Sequence, residues 1–167
     1  MAWQRARLGM AMLILTEAVF FFMLILAFVY FRDQSVVTAA ATLNLRVTSL
    51  FTACLVISSF TLWRAQAGGR TRLWLGFTIL FGAAFFLGQG SEYLRILRDG
   101  FTMSQGLFGT TFFTLAGVHG LHVLIGLVLL GVTAPYQSRL STIAMYWYFI
   151  AAVWIAIFST VYLWSFL

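Results

Sequence analysis

Five long apolar runs, separated by short clusters that carry arginine, glycine, proline or acidic residues, account for nearly all of this chain. They cover roughly 8–31, 47–66, 73–95, 106–132 and 143–166. Each reaches the length of about 20 residues that a helix needs to cross the hydrocarbon of a bilayer. The pattern predicts an all-α, polytopic integral membrane protein, a bundle of five transmembrane helices forming one domain over residues 1–167. The separators are short. Arg32-Asp33-Gln34 opens a loop that closes at Arg46, and Arg64 to Arg72 surrounds Gly68-Gly69. Arg95 to Gln105 holds Asp99 and Gly100, and Pro135 to Arg139 forms the last loop. None is long enough to fold alone.

Composition agrees: hydrophobic residues make up 62% of the chain and charged residues 8%, which excludes a soluble globular domain. The start, MAWQRARLGMAMLILTEAVFFF, has the basic then apolar order of a signal peptide. Its apolar run is too long for one, it contains Glu17, and no small-residue cleavage site follows, so it reads as a retained first span.

Charge changes the picture through topology. The N-terminus and the second and fourth loops carry Arg5, Arg7, Arg64, Arg70, Arg72 and Arg139 with no acid. The first and third loops carry Arg32, Arg46, Arg95 and Arg98, offset by Asp33 and Asp99. This bias predicts an inside N-terminus and an outside C-terminus. The net charge of +6 is thus spread over loops, leaving no basic patch for nucleic acid. Cys54 is the one cysteine, so no disulfide framework exists.

Four ionisable residues inside the spans are candidates for chemistry. His119 and His122 are the only histidines and sit three apart in GTTFFTLAGVHGLHVLIGLVLLG, residues 109–131. Ionisable groups are costly at such depth and survive where protein or trapped water satisfies them, so both are expected to turn inward. The neighbouring Gly106, Gly109, Gly117, Gly120 and Gly126 would let another helix approach. Glu17 lies near the centre of the first span, about 15 Å from its inner end at 1.5 Å per residue. On the predicted topology the two histidines lie roughly 20–24 Å from the outer end of theirs, a comparable depth. A Glu17 contact with His122, or failing that His119, is therefore expected, with Glu17 neutral or hydrogen-bonded. A polar packing contact without turnover is the plainer reading of the same residues. Glu92, near the outer end of the third span, reads as an i,i+3 ion pair with Arg95. Gly88-Gln89-Gly90-Ser91 lies inside a span and follows no strand, so it is not a phosphate loop. Two histidines on one helix cannot ligate a haem from both sides, and a zinc or copper site needs three or four ligands. The residues themselves predict no metal, no cofactor and no catalytic residue in this chain.

The block SEYLRILRDGFTMSQGLFGTTFFTLAGVHGLHVLIG, residues 91–126, resembles the signature region of subunit III of haem-copper terminal oxidases. That family carries a Glu-Tyr pair, then Gly-x-x-Gly-[Ser/Thr]-Thr-Phe-Phe, then Gly-x-His-Gly-x-His-Val-x-x-Gly. The first span is similar to the family helix bearing a membrane-embedded glutamate followed by phenylalanines. Leu43-Asn44 and Ser58-Ser59 resemble the asparagine and serine pair around the next helix, and MYWYFIAAVWIAIFSTVYLW resembles its closing helix. The likeness runs from about 9 to 164 and matches the short five-helix form of a family whose members often have seven. Tyr148 and Ala151 stand where the family has His and Asp, and Gln105 where it often has an acid.

The resemblance implies a non-catalytic core subunit of a proton-pumping oxygen reductase in a bacterial cytoplasmic membrane. It would belong to the enzyme only as part of a terminal oxidase complex, cytochrome c or quinol oxidase, in a respiratory chain. Haem and copper would sit on partners, above all the catalytic subunit I. This chain would hold phospholipid, shape oxygen access and support proton uptake through Glu17. Two other readings stay open: the accessory subunit of a nitric oxide reductase, and a small proton-coupled transporter using Glu17, His119 and His122. Transporters, however, usually show repeated halves and broken helices.

Overall fold

A computed structural model describes residues 2–31, 44–98, 107–134 and 139–163. Backbone polar groups find no water in hydrocarbon, so a spanning segment must satisfy them within itself. Among the described residues the chain does so with five α-helices: α1 (Ala2–Tyr30), α2 (Leu45–Gln66), α3 (Thr71–Arg98), α4 (Leu107–Thr133) and α5 (Leu140–Phe158). A π-helical turn, Ser159–Leu163, extends the last. All five are long and apolar enough to cross a membrane, and no strand occurs among the described residues. The chain is an integral membrane protein.

Several helix ends, such as the starts of α1, α2, α3 and α5 and the end of α3, lie a few residues beyond the apolar runs because their polar ends continue the backbone ladder beyond hydrocarbon. α3 starts at Thr71 and carries Arg95 and Arg98 in its last turn, where cations complement the negative end of the helix dipole. α5 begins at Leu140 rather than near 143. Asn44 caps α2, its Oδ1 accepting from the Val47 N–H at 3.4 Å. Gly68 and Gly69, at φ 91° and 85°, make the α2–α3 turn, a conformation a side chain would resist. Most of the first loop, residues 99–106 with Asp99 and Gln105, residues 135–138 and the 164–167 end lie outside the described residues.

Lipid is as apolar as leucine, so these helices associate through close packing and hydrogen bonds rather than through the hydrophobic effect. α2 and α3 form an intimate hairpin, with the buried Thr61 and Thr78 hydroxyls 2.9 Å apart and the Phe51 ring lying on Gly88. α5 packs on α1, α2 and α4. Its Trp147 is wholly buried and joins three helices. The ring lies against Gly82 of α3 and Gly126 of α4, and its Nε1 donates to Ser58 Oγ of α2 at 3.1 Å. One turn pair further on, Trp154 Nε1 donates to Thr52 Oγ1 at 2.9 Å. α1 leans on α4 and α5 through the buried Phe21 and Phe28, while Leu8, Met12, Leu15, Val19 and Phe22 face outward.

The glycines divide differently from the expectation. Gly126 does receive a neighbour, Trp147, but the other close approaches are at Gly82 and Gly88 of α3. Gly120 faces open space, and a Cβ on Gly117 would meet only the Tyr93 hydroxyl, at 3.7 Å. Gly106 lies outside the described residues.

Candidate functional site

Glu17 and His122 meet across α1 and α4. His122 Nε2 is 3.1 Å from Glu17 Oε2, and His122 Nδ1 is 2.8 Å from the Val118 carbonyl oxygen. A carbonyl can only accept, so Nδ1 carries a hydrogen and donates it to Val118. That choice fixes the remaining chemistry. One hydrogen must lie between Nε2 and Oε2, because two bare lone pairs would otherwise face each other. The contact is either a carboxylic acid donating to a neutral imidazole or an imidazolium donating to a carboxylate. Both forms hold one proton and have no net charge, which suits a site at this depth. The geometry accommodates one proton at either end of the contact.

Its surroundings are aromatic. Phe21, one turn beyond Glu17 on α1, sets its ring 5.0 Å from the His122 ring and 6.4 Å from that of Phe149. Tyr146 of α5 brings its hydroxyl to 3.5 Å from the His122 carbonyl oxygen. The His122 side chain is 13% exposed and that of Glu17 30%, so the carboxyl looks partly out of the bundle.

His119 is elsewhere. One helical turn away from its neighbour, it points into the core, 2% exposed. Its ring stacks on Trp154 at 5.1 Å and 26° and meets the edge of Phe85 at 6.3 Å. Neither of its ring nitrogens has a hydrogen-bond partner among the described residues. Phe21 lies between the two histidines, 6.2 Å from His119, so they share an aromatic neighbour but not a partner.

Glu92 pairs with Arg95 at 2.6 Å, with Glu92 mostly buried and Arg95 more open. The pair belongs to α3 near its end and stands apart from Glu17. Among the described residues no three His, Cys, Asp or Glu side chains converge as a metal-ligand set.

Sequence reasoning missed Trp147 with Ser58, Trp154 with Thr52, and the Tyr148 hydroxyl accepting from Gln66 Nε2 at 2.7 Å. A signal was present. A tryptophan in mid-span has an N–H that needs an acceptor, and Trp147 and Trp154 recur at a seven-residue spacing on one helix face. Tyr148 is thus tied by a hydrogen bond to a neighbouring helix.

Comparison with known proteins gives one consistent likeness. The profile of the cytochrome c oxidase subunit III family matches residues 43–166. The cytochrome bo(3) ubiquinol oxidase subunit 3 of Pseudomonas aeruginosa is 38% identical over 128 residues, covering 67% of this chain and 61% of that protein. A probable cytochrome c oxidase subunit 3 of Nocardia farcinica is 35% identical over 136 residues, 72% of this chain and 67% of that one. The cytochrome c oxidase subunit 3 of Bacillus subtilis is 31% identical over 166 residues, 88% of this chain and 80% of its own. The chain spans about three fifths of the length of the first of these relatives.

Proposed function

The chain belongs to the cytochrome c oxidase subunit III family, and from that premise we propose that it is a non-catalytic core subunit of a proton-pumping haem-copper oxygen reductase. Haem and copper belong to partner chains in this reading. The donor set here does not fit them: His122 is held by Val118 and Glu17, and His119 is wedged among rings with no second ligand beside it.

The observation that carries the proposal is the exposure of Glu17. Its carboxyl is 30% open on a helix whose outward mid-span side chains are otherwise apolar except for Thr16, whose hydroxyl donates back to the Leu13 carbonyl. A polar group facing hydrocarbon at that depth is costly, and a partner helix laid over α1 removes the cost. The catalytic subunit is that partner. Glu17 and His122 then stand at the interface holding one proton, where they support proton uptake by the complex. The outward apolar faces leave room for phospholipid and for oxygen, which partitions into apolar surroundings. In this reading the complex lies in a bacterial cytoplasmic membrane, and the arginine bias supports an inside N-terminus.

Two measurements test this. Purified from its native membrane in mild detergent, the chain should migrate on a native gel with a haem-bearing partner; isolation as an intact chain without haem would refute the reading. In that complex, Glu17→Ala should leave the haem spectrum and initial oxygen reduction nearly intact. The loss should fall on protons moved per electron or on survival over many turnovers. Immediate loss of haem from an assembled complex would place a redox role in this chain and overturn the proposal.

A further inference from the structure

A second site lies on the part of α4 that faces α3 and α5, apart from the proton pair at α1. Between α3, α4 and α5 the bundle leaves a cavity of about 320 Å³, walled mainly by apolar and aromatic side chains that include Phe85, Tyr93 and Trp154. Two polar groups on that wall have no partner: both ring nitrogens of His119, and Nε2 of Gln89. Gln89 stands one turn beyond Phe85, whose ring lies 6.3 Å from that of His119, so the two groups occupy neighbouring levels. A buried polar group left unpaired costs about 1–3 kcal/mol. The cavity is therefore short of a ligand that can pair both.

The cavity also has a way in. Gly90 on α3 and Gly117 and Gly120 on α4 line it, and side chains at these positions would meet open space or only the Tyr93 hydroxyl. With Leu121 and Leu124, which are exposed, they leave a seam between α3 and α4 that faces the bilayer.

Ligand chemistry follows from depth and polarity. Gln89 lies about 14 Å from the end of α3 and His119 about 18 Å from the start of α4, at 1.5 Å per residue. A phospholipid keeps its headgroup at the interface and offers only acyl chain at this depth, leaving both groups unpaired. A fatty-acid carboxylate would bring a charge into hydrocarbon. Water alone fails on numbers: the volume holds on the order of ten waters at about 30 Å³ each, and each needs two to four polar partners. What remains is an uncharged ring bearing carbonyl or hydroxyl oxygens on an apolar tail. We propose that this cavity binds a lipid-soluble quinone or quinol, its oxygens paired with Gln89 and His119 and its tail leaving through the seam beside Gly117. The Gln89 amide donates, and the imidazole can donate to a carbonyl or accept from a hydroxyl. Aromatic walls with a few placed polar groups suit such a molecule. The proposal goes beyond the subunit reading and is tested on this chain's own peptides, in whatever complex it purifies.

The experiment uses the purified chain with its bound partners in phosphatidylcholine nanodiscs and a photoreactive azidobenzoquinone with a ten-carbon tail. After illumination, adducts are mapped by peptide mass. Adducts should fall on residues 85–96 and 112–124 of this chain and should be displaced by unlabelled decylubiquinone, not by palmitate. Gln89→Leu and His119→Phe should each lower labelling here roughly fivefold, the value of about one hydrogen bond. Gly117→Leu should abolish it by closing the seam while leaving both polar groups and the Gly82 and Gly126 contacts in place. Adducts on partner chains should not change in any variant. Absence of adducts on this chain, equal displacement by palmitate, or labelling indifferent to all three variants would overturn the proposal.

Discussion

Replacing Glu17 with leucine should do more harm than replacing it with glutamine, and the difference can be worked from the contact itself. Leucine removes the carboxyl and leaves His122 Nε2 without a partner, because Nδ1 remains committed to the Val118 carbonyl. Glutamine keeps a group that can donate to the same nitrogen. Hydrogen bonds between membrane helices average about 0.6 kcal/mol and reach about 1.7 kcal/mol. This one shares a proton between two ionisable groups, which favours the upper end, but the 30% exposure of Glu17 pulls it down. A coupling of about 1 kcal/mol is expected, equivalent to roughly a fivefold change in an equilibrium constant. The assay is a double-mutant cycle with Glu17→Leu and His122→Phe, the second retaining a ring against Phe21. Unfolding is driven by an increasing fraction of dodecyl sulfate in bicelles and followed by tryptophan fluorescence. A coupling indistinguishable from zero, or Glu17→Gln as damaging as Glu17→Leu, would refute the shared-proton contact.

Three further outcomes follow from the geometry. A hydrophobic carbodiimide, which attacks neutral carboxyls in apolar surroundings, should modify Glu17 in preference to Glu92, whose carboxyl is engaged by Arg95; peptide mass mapping checks it, and labelling confined to Glu92 would count against the carboxylic-acid form of the pair. Single cysteines at Ala67 and Gln34 should react with an impermeant thiol reagent from opposite sides of the membrane, and reaction of both from one side would end the proposed topology. Gly126→Leu should destabilise the bundle by about 1–3 kcal/mol, because its Cβ would fall 2.9 Å from the Trp147 ring; Gly120→Ala, facing open space, should cost little in the same unfolding assay.

What the chain revealed before its structure was governed by the range of the physics involved. Spans were legible because the bilayer demands about 20 apolar residues in an unbroken run, a purely local requirement. Their ends slipped by a few residues, as at Leu140 and Arg98, because helices continue into the polar zone by hydrogen bonding alone. The nearness of Glu17 and His122 could be anticipated from topology, since depth is nearly a one-dimensional coordinate along each span. Rotation of one helix about its axis relative to another is not written in depth. Hence the division between His119 and His122, one to the core and one to α1, and the open positions of Gly117 and Gly120 emerged only with the packed helices. The cavity beside Gln89 depends on three elements at once, and no local pattern encodes it.

The placement of Trp147 bears on the order in which the protein can assemble. Helices leave the ribosome one after another, and α1 emerges before the other four. Yet its main neighbours are α4 and α5, and the ring that ties α2, α3 and α4 together belongs to α5. The α2–α3 hairpin, the most closely packed of the consecutive pairs, can settle as its two halves appear. Until α4 has been translated Glu17 lacks His122, and until α5 follows, the side of α1 that α5 will cover stays in lipid. Folding is thus gated by synthesis of the fifth helix, and the interval before it is the period when the nascent chain is most open to a membrane chaperone or to a protease.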